Sequence, residues 1–198
     1  MKQIHTDYIG LTALILVVLS WITFGVIFAV RKKPPKAPEA KRDSSAKWGI
    51  ALQGCGFALV WSIRRDYWWP LSDWLAAEVT LAVVAVVLAY VSSWLCFRAL
   101  QTLGKQWTYA ARVVEGHELI TNGPYAVVRN PIYLGMFGLM IATGLILSTW
   151  WVLLLATVLF LMGNWVRIRA EEKLLRETFG VKFDEYAQNV PAFLPRPW

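Results

Sequence analysis

The sequence predicts an all-α, polytopic membrane protein with about five transmembrane helices. Hydrophobic residues make up 57% of the 198 residues, charged residues only 17%, and the mean hydropathy is +0.46. A soluble domain is about half apolar and about a quarter charged. The apolar residues also lie in long blocks, several of them long enough to cross about 30 Å of hydrocarbon as a helix. Composition and block length together indicate a chain that crosses the bilayer repeatedly.

Residues 1–99 are expected to hold three of these helices. The first block covers about residues 8–30 and is followed by the basic, proline-bearing segment 31–47. That flank is typical of a stop-transfer signal rather than a signal-peptide cleavage site, so we expect a retained helix followed by a loop. A second, shorter block covers 48–63, and a third covers about 74–97.

Residues 100–198 are expected to form the second half, with a transmembrane hairpin at 131–166. Only the letters "STW" separate its two apolar blocks, which predicts a tight antiparallel pair. The remainder, 167–198, is polar and helix-forming, and Phe179 followed by Gly180 is typical of a helix end.

The basic residues predict the orientation in the membrane. With five crossings, segments 31–47, 98–130 and 167–198 fall on one side and carry 17 of the 20 Lys and Arg residues. The positive-inside rule places that side in the cytoplasm, with the N-terminus outside. The hairpin start and the C-terminal helix then share the cytoplasmic face.

Several functions are disfavoured by the same composition. The net charge of +7 is spread between apolar blocks, without a dense basic surface, so we expect no nucleic-acid partner. Two histidines, and two cysteines within apolar blocks, do not indicate a metal site. Few ionisable residues lie inside the blocks and no inverted repeat is evident, which disfavours a transporter. The bilayer itself is the expected partner.

Polar chemistry is concentrated at the threshold of the hairpin, in "GPYAVVRNPIY" (123–133). Gly123-Pro124 breaks any preceding helix, and Pro131 can begin the next one because its missing N–H is not needed in a first turn. Taken alone, the stretch is equally consistent with a helix cap flanked by interfacial tyrosines.

A second polar group follows the hairpin. Arg167 and Glu171, and likewise Glu172 and Arg176, are four residues apart on the predicted helix and could form ion pairs. Exposed pairs of this kind contribute little to stability. However, Arg167 and Glu171 lie within about a turn of the apolar block, where charge is costly unless it lines a wet cavity.

These motifs, taken in order, resemble a known family. "GPYAVVRNPIYLG", a hydrophobic hairpin, "RIRAEEKLLRETFG" and "FDEYAQNVPAFLP" are similar to the isoprenylcysteine carboxyl methyltransferase family. Its members are integral membrane enzymes that use S-adenosylmethionine and are more distantly related to phospholipid N-methyltransferases. The resemblance covers about residues 100–195.

The resemblance implies a cytoplasmic pocket for S-adenosylmethionine. Its implied cofactor-binding residues are His117, Glu118, Leu119, Ile120, Tyr125, Asn130, Pro131, Ile132, Tyr133 and Glu171. Arg167 would bind the acceptor, and Arg167 and Glu171 would be the catalytic pair. The family usually has histidine where this chain has Asn130. A plasma membrane of a bacterium or archaeon is expected in preference to the endoplasmic reticulum, which suits the eukaryotic relatives.

The implied reaction moves a methyl group to a lipid-like or isoprenylcysteine-type acceptor, at a carboxylate. A carboxylate is already ionised at neutral pH and needs an orienting cation, for which the planar guanidinium of Arg167 is suited. N-methylation of an amine lipid is one alternative. An inactive membrane scaffold is another, and Asn130 is the feature that favours it.

Overall fold

The computed structural model describes residues 2–30, 39–42, 46–63, 75–104, 112–114 and 118–195. The described chain is mainly helical, as predicted. Its helices are α1 (Lys2–Ala29), α2 (Ala46–Ser62), α3 (Leu75–Leu103), α4 (Pro131–Leu147), α5 (Trp150–Phe179) and α6 (Val181–Asn189). A 3-10 turn, Gly123–Ala126, precedes α4. The predicted helix end is confirmed, because α5 ends at Phe179 and Gly180 has a φ of 53°.

Two short strands depart from the all-α prediction. Strand β1 (Glu39–Arg42) pairs antiparallel with β2 (Arg112–Val114), with Glu39 opposite Val114 and a bulge before Lys41. The loop predicted for 31–47 is therefore wrong at 39–42 and at 46–47, where α2 begins, and its remaining residues lie outside those that the structure describes. The pairing joins segments far apart in sequence, and local composition carries no signal for such a partner.

The apolar helices are those of a membrane protein. Within the described residues, three helices are long and apolar enough to cross a bilayer: Tyr8–Ala29, Leu75–Leu103 and Trp150–Phe179. The shorter apolar helix α4 has 17 residues, at the lower limit for a span. Five crossings therefore remain a prediction.

Small residues let the helices pack closely. A Cβ built on Gly49 of α2 would lie 2.5 Å from Arg167 Cγ and 2.7 Å from the carbonyl oxygen of Gly163 on α5. Gly135 and Gly138 of α4 likewise have no room for a side chain against α3. Glycines at helix contacts are typical of membrane bundles, where close backbone approach replaces a hydrophobic driving force.

The predicted hairpin turn is confirmed, but its helices mainly contact other partners. Only Ser148 and Thr149 separate α4 from α5. Nevertheless α5 packs most extensively against α2, and α4 against α3. One buried cluster joins α2, α4 and α5 and contains Val60, Met140, Ala156 and Phe160. Helices α2 and α3 of the N-terminal half therefore pack directly against the C-terminal helices that carry the motifs.

The bundle has two distinct ends. At one end, which we call the site end, Tyr133 near the start of α4 contacts Glu171 of α5, and Gly123 lies against Thr102 of α3. At the other end, the Ser148 hydroxyl donates to the Val60 carbonyl oxygen at 3.1 Å. The two polar motifs singled out by the sequence thus meet at the site end.

Candidate active site

The turn before α4 is fixed by its own residue types. Gly123 has a φ of 58°, which favours glycine, and a Cβ there would lie 3.0 Å from Thr102 Oγ1. Tyr125 follows and is buried. Asn130 occupies the N-cap position of α4, but its side chain does not cap the helix. Its Nδ2 instead donates to the Ala192 carbonyl oxygen at 2.8 Å.

Arg167, Glu171 and Tyr133 form one connected cluster. The Tyr133 hydroxyl donates a hydrogen bond to Glu171 Oε1, and Arg167 Nη2 lies 3.3 Å from the same oxygen. Arg167 Cζ also stands 4.7 Å from the centroid of the Tyr133 ring, within cation–π range. The tyrosine thus contacts both members of the predicted ion pair, one through its hydroxyl and the other through its ring.

Helix α2 completes the setting of Arg167. The bare backbone at Gly49 lies where any side chain would collide with Arg167 Cγ. The aliphatic part of Arg167 therefore lies against α2, its guanidinium lies over the Tyr133 ring, and the side chain is only 12% exposed. Deeper in the same interface, Gln53 donates to Asn164, one turn before Arg167 on α5.

A second ion pair lies beside the first. Arg129 Nε binds Glu172 Oε1 at 2.8 Å, and the two side chains are 12% and 16% exposed. The predicted pair of Glu172 with Arg176 is wrong, because Arg176 binds Asp184 of α6 at 2.7 Å instead. Glu172 and Arg176 thus each bind a residue outside α5 instead of each other.

Glu171 and the ion pair of Arg129 with Glu172 border a cavity of about 80 Å³. Its walls come from the end of α3, the segment before the 3-10 turn, the turn itself, α5 and α6. The lining residues are Leu103, Glu118, Leu119, Ile120, Tyr125, Arg129, Asn130, Glu171, Glu172, Leu175, Phe183 and Tyr186. Small-molecule sites usually enclose about 300–1,000 Å³, so the described residues enclose only part of a cofactor-sized space.

Most of the predicted cofactor residues meet at this cavity. Those on its wall are Glu118, Leu119, Ile120, Tyr125, Asn130 and Glu171. Pro131, Ile132 and Tyr133 do not line it, although Tyr133 binds Glu171. Arg167 is also off the wall and reaches it through Glu171. His117 lies outside the described residues.

Sequence reasoning missed six lining residues. They are Leu103, Arg129, Glu172, Leu175, Phe183 and Tyr186. A signal existed for two of them, since Phe183 and Tyr186 lie three apart on one face of α6. Arg129 lies inside the quoted hairpin motif, but nothing in the sequence identifies Glu172 as its partner.

Tyr186 ties α6 to the turn. Its hydroxyl donates to the Tyr125 carbonyl oxygen at 2.6 Å. Burial raises the pKa of Tyr186 to about 12, with nearby Arg129 opposing the rise and Glu172 adding to it. The phenol therefore stays protonated, and remains a donor, throughout the physiological range.

Comparison with known proteins gives the family. Residues 80–182 match the sequence model of the family described as phospholipid methyltransferase. A probable protein-S-isoprenylcysteine O-methyltransferase of Oryza sativa subsp. indica is 30% identical over 144 residues, which are 70% of this chain and 68% of the relative. Protein-S-isoprenylcysteine O-methyltransferase B of Arabidopsis thaliana is 27% identical over 137 residues, 66% of this chain and 62% of the relative.

A bacterial relative is named for metal resistance rather than for methyl transfer. The nickel-cobalt-cadmium resistance protein NccN of Alcaligenes xylosoxydans xylosoxydans is 32% identical over 121 residues, 61% of this chain and 51% of the relative. The match to the family model begins within α3, ends at the second residue of α6 and includes both ion pairs of the site. The chain therefore belongs to the phospholipid methyltransferase family, close to its isoprenylcysteine O-methyltransferases, and is a membrane methyltransferase.

Proposed function

We propose that the protein transfers a methyl group from S-adenosylmethionine to the carboxylate of a lipophilic, isoprenylcysteine-type acceptor. The observation that carries the proposal is the cluster of Arg167, Glu171 and Tyr133. It connects a permanently charged cation beside the apolar helices to the wall of the polar cavity. The printed names of the plant relatives support the same chemistry.

The chemistry of the cavity wall suits S-adenosylmethionine. Glu118 and Glu171 can accept hydrogen bonds from an ammonium or a ribose, and the rings of Tyr125, Phe183 and Tyr186 can contact adenine or a sulfonium. When bound, the cofactor supplies an electrophilic methyl group on sulfur. The described residues line only part of the space that the cofactor would need.

Arg167 is suited to hold the acceptor. Its contact with Glu171, at 3.3 Å, is longer than the usual 2.7–2.9 Å of a charge-assisted hydrogen bond. An incoming carboxylate can therefore compete for the guanidinium, which offers a planar fork of donors. Since the carboxylate is already ionised, Arg167 needs only to orient it, and no general base is required.

The location of the cluster fits a substrate that stays in the bilayer. Arg167 follows the apolar part of α5, whose lipid-facing side chains, such as Leu161 and Trp165, are exposed. A lipid tail can lie along these helices while its polar group reaches Arg167. We place this site on the cytoplasmic face of a bacterial or archaeal plasma membrane, in a chain that crosses the bilayer five times.

Removing the guanidinium tests the proposal. Arg167→Ala should lower methyl transfer to a farnesylcysteine acceptor by about 100-fold or more, because the acceptor loses its orienting cation. Binding of S-adenosylmethionine, measured by calorimetry in detergent, should change little. Arg169→Ala is the matched control, since Arg169 is exposed on the same helix and stacks on Trp165 at 4.4 Å. Wild-type turnover by Arg167→Ala would exclude the assigned role.

N-methylation of an amine lipid is the second candidate. The family description and the carboxylates of Glu118, Glu171 and Glu172 on one wall favour it, because carboxylates suit an ammonium substrate. Product analysis after labelled methyl transfer separates the two reactions. A methyl ester is released by mild base, whereas an N-methyl group is retained.

A further inference from the structure

We propose that Arg129 is a positioning residue that holds the C-terminal strap, residues 186–193, closed over the cofactor cavity. The affinity for S-adenosylmethionine should then depend on Arg129, although Arg129 does not take part in methyl transfer itself. This inference rests on the proposed function for its cofactor. The claim that Arg129 holds the strap closed does not depend on the cofactor and can be measured without any ligand.

Arg129 donates three hydrogen bonds to this strap. Its Nη1 donates to the Ala187 carbonyl oxygen at 2.8 Å and also to that of Val190. Its backbone N–H donates to the Pro191 carbonyl oxygen at 2.9 Å. Its Nε binds Glu172 of α5 at 2.8 Å, so one side chain joins three segments of the chain.

The charge and shape of arginine both matter at this position. Ala187 lies in the last turn of α6 and Val190 is the C-cap, so their carbonyl oxygens lack helical N–H partners. The C-terminal end of a helix also carries partial negative charge, which favours a cation. A guanidinium can reach these oxygens and Glu172 at once through its fork, whereas a lysine ammonium is a single point.

Neighbouring residues fasten the same strap. Asn130 Nδ2 donates to the Ala192 carbonyl oxygen at 2.8 Å, and Tyr186 donates to the Tyr125 carbonyl oxygen at 2.6 Å. The Phe193 ring lies 5.7 Å from that of Phe137 on α4. Asn130, at the position where the resembling family usually has histidine, thus contributes to the strap through its amide.

The strap determines part of the cavity wall. Phe183 and Tyr186 of α6 both line the cavity, and Phe183 is almost fully buried. Helix α6 follows α5 directly through Gly180, whose φ of 53° favours glycine and whose backbone can adopt other conformations more readily than that of any other residue. If Arg129 releases the strap, α6 can rotate about Gly180 and remove both rings from the cavity.

A nearby ion pair provides a control. Asp184 of α6 binds Arg176 of α5 at 2.7 Å, but these side chains are 47% and 52% exposed and neither lines the cavity. Exposed pairs of this kind contribute little. Asp184→Asn therefore removes an α5–α6 ion pair outside the strap and the cavity lining, and leaves the Arg176 guanidinium over the ring of Phe183.

The test compares Arg129→Gln, Arg129→Lys and Asp184→Asn in the full chain, in lipid nanodiscs. Hydrogen exchange of residues 186–193 reports closure of the strap, and calorimetry with S-adenosylmethionine reports affinity. Arg129→Gln should speed hydrogen exchange of the strap at least 10-fold and weaken S-adenosylmethionine binding at least 10-fold. It should also raise the KM for S-adenosylmethionine by a larger factor than it lowers kcat. Arg129→Lys should recover part of both effects, and Asp184→Asn should match the wild type.

Each contrary outcome is distinct. Unchanged strap exchange in Arg129→Gln overturns the inference, as does faster exchange with unchanged affinity. An equal effect of Asp184→Asn also overturns it, because any α5–α6 contact would then suffice. If Arg129→Gln fails to fold, the same comparisons are made with Arg129→Lys. Wild-type protein that binds no S-adenosylmethionine overturns the proposed function, while strap exchange still decides whether Arg129 holds the strap.

Discussion

Glu171 and Glu172 are adjacent in sequence, yet their carboxylates bind different arginines. Glu171 contacts Arg167 on its own helix, whereas Glu172 binds Arg129 from the segment before α4. Helical spacing predicts the first pair because both partners are local. It fails for Glu172 because a partner far along the chain arrives only with the tertiary fold. Local pairs at the site are therefore predictable, and long-range pairs are not.

The Tyr133 hydroxyl should be separable from its ring. Tyr133→Phe removes the hydrogen bond to Glu171 but leaves an aromatic face beside Arg167. A hydrogen bond to a charged group contributes about 1.5–3 kcal/mol, so kcat/KM should fall by about 10- to 100-fold. Tyr133→Leu, which also removes the ring, should be worse. Steady-state methyl transfer compares them, and equal activity of Tyr133→Phe and wild type would contradict the role of the hydroxyl.

Alkaline pH should release the strap through Tyr186. The pKa of Tyr186 is raised to about 12 by burial, while an unfolded tyrosine titrates near about 10. The stabilisation is therefore fully present below about pH 10 and is lost as the pH rises toward 12. Hydrogen exchange of the strap, corrected for the intrinsic rate, should accelerate in that window. Tyr186→Phe, which lacks the ionisable group, should show no such step.

At the scale of elements, helix α2 contacts the site although it lies outside the family motifs. The family match begins at residue 80, whereas α2 ends at Ser62. The buried residues of α2 form a regular stripe, Ala46, Gly49, Gln53, Gly56 and Val60, which faces α5. Because α2 is apolar on most of its faces, its sequence predicts a membrane helix but does not predict its partner.

Gly49 should therefore affect activity through packing. Gly49→Ala places a methyl group against Arg167 and the Gly163 backbone, where overpacking costs about 1–3 kcal/mol. We expect a lower thermal stability and a loss of acceptor turnover. Gly54→Ala on the same helix is the control, since its Cβ would meet nothing within 4 Å. That variant should be neutral or slightly stabilising. Similar behaviour of the two variants would refute the packing argument.

At the scale of the whole molecule, the sequence predicted the class of protein better than the arrangement of its helices. Long apolar blocks gave the membrane helices, and ordered motifs gave the family. The small sheet, the packing of α5 on α2 and the strap all depend on contacts between distant segments, which periodicity cannot show. The division of the chain at residues 1–99 and 100–198 stays a prediction.

The orientation of the bundle is the remaining property that the fold and the charge distribution predict together. Strand pairing of 39–42 with 112–114 requires the basic linker and the segment after α3 to share one side of the membrane. Both belong to the side that carries 17 of the 20 Lys and Arg residues when the chain crosses five times. The site end should then face the cytoplasm, where S-adenosylmethionine is made.

Single cysteines can test this orientation in intact cells. In a background with Cys55 and Cys96 replaced by alanine, Lys182→Cys on α6 should react with a membrane-impermeant maleimide only after the cells are opened. Lys2→Cys, on the opposite side of a five-span chain, should react from outside. Because α6 carries two residues of the cavity wall, labelling of Lys182→Cys in intact cells would place the cavity outside. A cytoplasmic cofactor could not reach it there, so that one result would contradict both the topology and the choice of methyl donor.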